Sequence, residues 1–165
     1  MDALGTEASR KEARITLDTG LAGRSDASNP AQLRLAALSA CMIKGIERVA
    51  PIIKFAFRGV EVRLAGVRQE SPPRMARIDY EILIDTDEPD RKLELLQENV
   101  RRFGTVFNTV APGTALTGTR RRGAPGEVDV AGLELLIWNP VRARSGACGA
   151  DAPRAFDDFA GAPVR

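Results

Sequence analysis

The sequence predicts an α/β (α+β) domain, on three observations. A helical segment that is apolar around most of its circumference runs over about residues 30–50. Two stretches of apolar–polar alternation follow, near 59–68 and 78–84. A third segment, 90–103, repeats its apolar residues at helical spacing. Period 3.6 marks helix and period 2 marks half-buried strand.

Each element has its own signals. Residues 1–12 are polar and expected to fray. Residues 13–18 alternate, so a short strand is expected there, followed by a Gly/Ser/Asp loop over 19–28. Ser28 or Asn29 can cap the next helix, and Pro30 suits its first position, where a missing N–H costs nothing. Leu33, Leu35, Leu38, Cys41, Met42, Ile43, Ile46 and Val49 then wrap most of the helix, which predicts burial in the protein or at an oligomer interface. Pro51 marks an end or a kink. From Gly59, Val60, Val62 and Leu64 share one strand face, and Glu61, Arg63 and Ala65 the other. Pro72 and Pro73 interrupt the sheet as a proline-rich loop, and Ile78, Tyr80, Ile82 and Ile84 form one face of the returning strand.

Residues 86–90 supply a helix start with a capping carboxylate and an early proline. Leu93, Leu96, Val100 and Phe103 make the buried stripe, and Gly104 stops the helix. A strand pair, 105–110 and 114–119, is expected to close a domain spanning 13–120. Residues 121–165 are a tail rich in Gly, Ala, Pro and Arg. Its apolar island at 128–138 can pair as a strand or pack as a helix, and 139–165 is expected to be disordered.

Composition excludes several chemistries. The 165 residues contain no histidine and two cysteines. Ser-His-Asp and Cys-His catalysis are therefore impossible, as is any zinc site built on imidazole or on four thiolates of one chain. The two cysteines allow one disulfide, or one or two reactive thiols. Basic and acidic residues nearly balance, at 24 and 22, and the only basic run is Arg120-Arg121-Arg122 without interleaved aromatics. Nucleic-acid binding is not expected. The first residues carry no long apolar stretch, so neither export signal nor membrane anchor is expected, and the chain reads as cytoplasmic with free thiols.

The segment NPAQLRLAALSAC at 29–41, followed by GVEVRLAGVRQESPPRMARIDYEILID and DRKLELLQENVRRFGTVFNTVAPGTALTGT, resembles the OsmC/Ohr family of osmotically induced and organic hydroperoxide resistance proteins. The resemblance covers about residues 29–120. It implies antiparallel sheets wrapped around a buried central helix in an intertwined homodimer, with sites at the dimer interface. It also implies cysteine-based peroxide chemistry without cofactor or metal. One thiolate attacks the hydroperoxide, a second cysteine forms a disulfide with it, and an external thiol or dithiol reductant resets the protein. Cys41 matches the reactive cysteine.

Other family positions depart from that pattern. The resolving cysteine belongs to a Cys-Pro-Val pattern, where this chain has Gly104-Thr105-Val106; the helix-entry carboxylate is replaced by Ala31. The family's arginine lies on an early strand, and the N-terminal strands are expected to be truncated here, with Arg14 and Arg24 as substitutes. Cys148 lies in the unmatched tail. A non-catalytic OsmC-like dimer that binds a small apolar ligand at its interface is the alternative reading. Taken without the resemblance, a cysteine on an apolar helix is most often a small buried hydrophobe. Lys44 and Arg48, three and seven residues on, lie on the Cys41 side of the helix, and Glu47 mostly opposite. Tyr80 and Trp138 are expected to pack.

Overall fold

Two strands precede the central helix in the computed structural model of the chain, which describes residues 6–123 and 135–139. β1 (Thr6–Arg10) and β2 (Ala13–Leu17) pair antiparallel from Thr6↔Leu17 to Arg10↔Ala13. Residues 6–10 thus form a strand rather than fraying. Lys11 takes a left-handed φ of 53°, which closes the tight turn, and Arg14 donates to Glu7 at 2.9 Å across the pair. Both strands are exposed almost throughout.

α1 (Pro30–Ile52) begins with a reciprocal capping box. The Asn29 side chain accepts from the Gln32 N–H at 2.9 Å, and Gln32 accepts from the Asn29 N–H at 3.0 Å. Leu35, Leu38, Met42, Ile46 and Val49 are fully or almost fully buried. The burial is not all-round, however: Arg34, Ala37, Ala40, Lys44, Glu47 and Arg48 form an exposed face. The helix runs through Pro51 and ends one residue later, so the proline removes a single hydrogen bond in its last turn.

β3 (Gly59–Glu70) and β4 (Pro73–Asp85) form the antiparallel hairpin the alternation predicts, in register from Gly59↔Asp85 to Glu70↔Pro73. Only Ser71-Pro72 makes the turn. Pro73 takes the first strand position, where a missing donor is tolerated. Val60, Val62 and Leu64 face the core with Ile78, Tyr80, Ile82 and Ile84.

α2 (Asp90–Phe103) starts without a side-chain cap, contrary to expectation, because the nearby carboxylates are engaged elsewhere. Arg58 bonds Asp85 and Asp87 at 2.6 Å each. Glu88 accepts from the Ala56 N–H at 3.0 Å and pairs with Lys92. These bonds hold the Asp87 and Glu88 carboxyls below their ordinary range, through Arg58 and through Lys92 respectively. Leu93, Leu96 and Val100 are buried, but Phe103 is half exposed beneath the Arg102 guanidinium, since the chain turns at Gly104.

The expected closing strand pair is corrected. Residues 105–110 form a short helix, α3 (Thr105–Val110), and β5 (Ala115–Arg122) adds to β4 in parallel, from Arg77↔Ala115 to Ile84↔Arg122. Val106, Phe107 and Val110 follow helical spacing and turn toward the core. Arg120 and Arg122 tie β5 to Glu94 and Asp90 of α2, which places α2 on the α1 side of the sheet. From the apolar island, β6 (Leu135–Asn139) joins the far edge, antiparallel to β3. The larger sheet has the order β5-β4-β3-β6. The expected disorder of 139–165, Cys148 and the Trp138 side chain lie outside the described residues. Among the described residues, no helix is long and apolar enough to cross a membrane.

Candidate functional site

Cys41 stands where α1 meets the junction of α2 and α3. Gly45, one turn on, faces Val100 of α2: a Cβ there would lie 3.6 Å from both Val100 methyls. Gly104 ends α2 and caps α3. A Cβ on Gly104 would lie 3.8 Å from Cys41 Sγ, 3.0 Å from Phe107 Cβ and 2.7 Å from the Val100 carbonyl oxygen. Two glycines therefore let α2 and α3 close onto the helix face that carries the thiol. Cys41 is neither sealed nor free; it is half-buried. Ser39 points into the core instead, where its buried hydroxyl has no partner.

Sulfur chemistry depends on the charges around it, since a nearby cation favours the thiolate. Arg101 stands over the Phe107 ring, 6.0 Å from its centroid. Phe107 in turn packs against Gly104. Lys44 and Arg48 are exposed on the outer face of α1, and so is Glu47. The proposed substitutes for the family arginine are held elsewhere. Arg14 pairs with Glu7 within the hairpin, and Arg24 with Asp26 at 2.8 Å ahead of the helix. Ala31 is exposed at the start of α1, about 15 Å of helix from Cys41.

A second polar constellation, on the far face of the sheet, was not anticipated from the sequence. Glu61 is 1% exposed. Arg63 donates to it at 2.6 Å and reaches Glu81 at 3.4 Å, while Arg121 approaches the other Glu81 oxygen at 3.4 Å. An open trough of about 440 Å³ lies alongside, walled by Arg63, Asp79, Glu81, Thr117 and Thr119. Alternation placed Glu61 opposite Val60 and Val62, but no local signal marks that face as covered.

The deciding observation comes from the sequence pattern over the same elements: the family model described as OsmC-like protein matches residues 23–117. The chain belongs to the OsmC-like family. Solved structures agree at the level of fold. An OsmC-like protein from Mycoplasma pneumoniae superposes with a TM-score of 0.65 at 16% identity, covering 70% of this chain and 86% of its own. A protein from Psychrobacter arcticus described as a putative osmotic stress induced and detoxification response protein gives 0.60 at 14%, covering 73% and 97%. An organic hydroperoxide resistance protein OsmC from Legionella pneumophila, also described as a predicted redox protein, gives 0.53 at 18%, covering 66% and 82%. No curated protein sequence matches this OsmC-like chain.

Proposed function

We propose that this OsmC-like protein reduces hydroperoxides through the single thiol of Cys41 and is reset by an external thiol. The observation that carries the reading is the Cys41–Gly104 pair: a half-buried sulfur on the central helix, facing a backbone position that has no side chain. The Cys41 thiolate attacks the distal peroxide oxygen and the O–O bond breaks. The alkoxide leaves, takes a proton and departs as the alcohol, and the sulfur is oxidised to sulfenic acid. With glycine at 104, no cysteine stands there to condense with it. An external thiol forms a mixed disulfide with loss of water, and a second thiol attacks that disulfide, returning Cys41 to its thiol while the two external thiols leave joined as a disulfide. Consumption of an organic hydroperoxide in the presence of a dithiol is expected for the wild type and lost, to the uncatalysed rate, in Cys41→Ser. Equal consumption by both proteins overturns the reading and leaves the non-catalytic ligand-binding dimer.

The same reading includes a second copy of the chain. A two-stranded hairpin is marginal by itself in water, and β1–β2 makes no substantial contact with another described element. Ala37 and Ala40 lie exposed on the helix face beside Cys41. Covering the hairpin and this small-residue face with a partner supplies the burial that one chain lacks. Sedimentation at micromolar concentration is expected to give twice the chain mass; a monomer at all concentrations sinks the dimer.

A further inference from the structure

The exposed side of α1 carries cations in line with the thiol. Arg34 and Arg48, both exposed, stand seven residues before and seven after Cys41. Seven residues fall about 20° short of two helical turns, so both side chains leave the helix nearly in line with the sulfur, each about 10 Å from it along the axis. Lys44, three residues on from Cys41, is exposed between them. Gly45, which faces Val100 of α2, lies about 40° to one side of Cys41, and Ala40 about 100° to the other. The line Arg34–Cys41–Arg48 therefore runs between α2 and the small-residue face. On the α2 side, Arg101 and Arg102 are exposed in the last turn before Gly104. On the sheet Arg63 meets Glu61, and at the start of α2 Arg122 meets Asp90. Among the described residues, Arg34, Arg48, Arg101 and Arg102 stand in no ion pair. Glu47, the acidic residue of the outer α1 face, lies about 120° round the helix from Cys41.

We propose that the Arg34–Cys41–Arg48 line draws the resetting thiol to Cys41 as an anion, and that the reductant it favours is a small thiol bearing a carboxylate. The inference rests on the thiol cycle proposed above. In that cycle the hydroperoxide arrives neutral, whereas each resetting thiol reacts as its thiolate. The cations therefore act on the resetting half of the cycle. The incoming thiolate attacks the outer sulfur of the mixed disulfide, the bond to Cys41 breaks, and Cys41 leaves as a thiolate that takes up a proton. A guanidinium about 10 Å away in water raises the local concentration of a univalent anion about twofold, and two raise it about fourfold. A carboxylate on the thiol adds a second charge for the same field to act on. Guanidinium stays charged at every working pH, so salt is the variable that tunes this pull. The screening length falls from about 30 Å at 0.01 M to about 3 Å at 1 M.

The test reads the resetting step without peroxide, so its failure is distinct from a failure to reduce hydroperoxides. Every protein compared carries Cys148→Ser, and Cys41 is first capped with 2-mercaptoethanol as a mixed disulfide. Release of the cap is timed with cysteamine, 2-mercaptoethanol and 3-mercaptopropionate, whose thiolates carry net charges of zero, minus one and minus two. Each rate is divided by that of the same thiol with the disulfide of 2-mercaptoethanol, which cancels differences in nucleophilicity. At about 0.01 M salt the ratio is expected to rise roughly threefold with each added negative charge. At about 1 M salt the three ratios should agree within about twofold. Arg34→Gln combined with Arg48→Gln should flatten the low-salt series to within about twofold. Arg91→Gln, about 20 Å of helix before Gly104, should leave it unchanged. A flat or reversed low-salt series in the wild type overturns the proposal, as does a series that persists in the double variant, or a Cys41 that cannot be capped in the folded protein. Should the double variant fail to fold, the salt response of the wild type decides: a series that survives at 1 M salt overturns the proposal, and one that collapses supports it.

Discussion

Gly118→Ala is expected to be the most destabilising small substitution in this protein, costing about 3 kcal/mol or more. Gly118 lies opposite Tyr80 on the β5 edge. A Cβ at that position would lie 1.9–2.4 Å from the Tyr80 ring, inside its van der Waals envelope. The ring cannot swing away cheaply. Tyr80 is 4% exposed and meets Phe107 edge-on, with centroids 6.1 Å apart at 85°. An aromatic laid over a glycine on the neighbouring strand is a known way of covering such a gap. The added methyl must displace the ring or push β5 off the sheet. Overpacking usually costs about 1–3 kcal/mol, and more where the neighbour is pinned. That is a large share of a typical stability of about 5–15 kcal/mol. Urea unfolding followed by circular dichroism measures it. In a Tyr80→Leu background the same substitution should cost less than about half as much, because the obstructing ring is gone. Gly113→Ala, where nothing lies within 4 Å, is the control, with an expected change within about 0.5 kcal/mol. Equal costs at 113 and 118 would refute the packing argument.

This pairing also shows where the sequence was legible. Alternation alone placed Ile78, Tyr80, Ile82 and Ile84 on the core face, because a strand with one buried side writes its register in every second residue. The capped start of α1 was legible for the same reason: Asn29, Pro30 and Gln32 act on their immediate neighbours. The errors fell where distant contacts decide. Thr105–Val110 has β-branched residues that suit a strand, yet Gly104 redirects the chain, and burial of Phe107 against Tyr80 fixes a helical turn. Parallel pairing of β5 with β4 follows from that redirection. Phe103 fits the α2 stripe by spacing, but the stripe loses its cover at the α2–α3 junction. The covered state of Glu61 depends on pairing across the sheet, which no window of sequence contains. At this corner the sequence marks Cys41 as the match to the family's reactive cysteine and Gly104 as a departure from the family pattern. That the two face each other required the fold.

The facing of Cys41 and Gly104 leads to the second large effect. Under the proposed cycle, Cys41 meets no second cysteine at this corner among the described residues. Gly104→Cys is expected to place a second sulfur within reach and to convert the protein to one that forms an intramolecular disulfide on treatment with peroxide. A Cβ at 104 would lie 3.8 Å from Cys41 Sγ, close to the spacing a disulfide requires once the side chains adjust. Two terms oppose each other in stability. The new Cβ would stand 2.7 Å from the Val100 carbonyl oxygen and 3.0 Å from Phe107 Cβ, so the reduced variant should lose about 1–3 kcal/mol. Closing the loop between 41 and 104 should restore up to about 4 kcal/mol in the oxidised form. The reduced variant is therefore expected to melt below the wild type and the oxidised variant at or above it. Gly104→Ala carries the same Cβ without the sulfur and should show the loss under both conditions. Free-thiol titration after peroxide reads the crosslink directly, with Cys148→Ser added to each protein compared so that the tail thiol is not counted. Retention of both thiols in the folded variant would mean that the corner does not bring position 104 to the sulfur, and with that the assignment of Gly104 as the reason for single-thiol chemistry would fall.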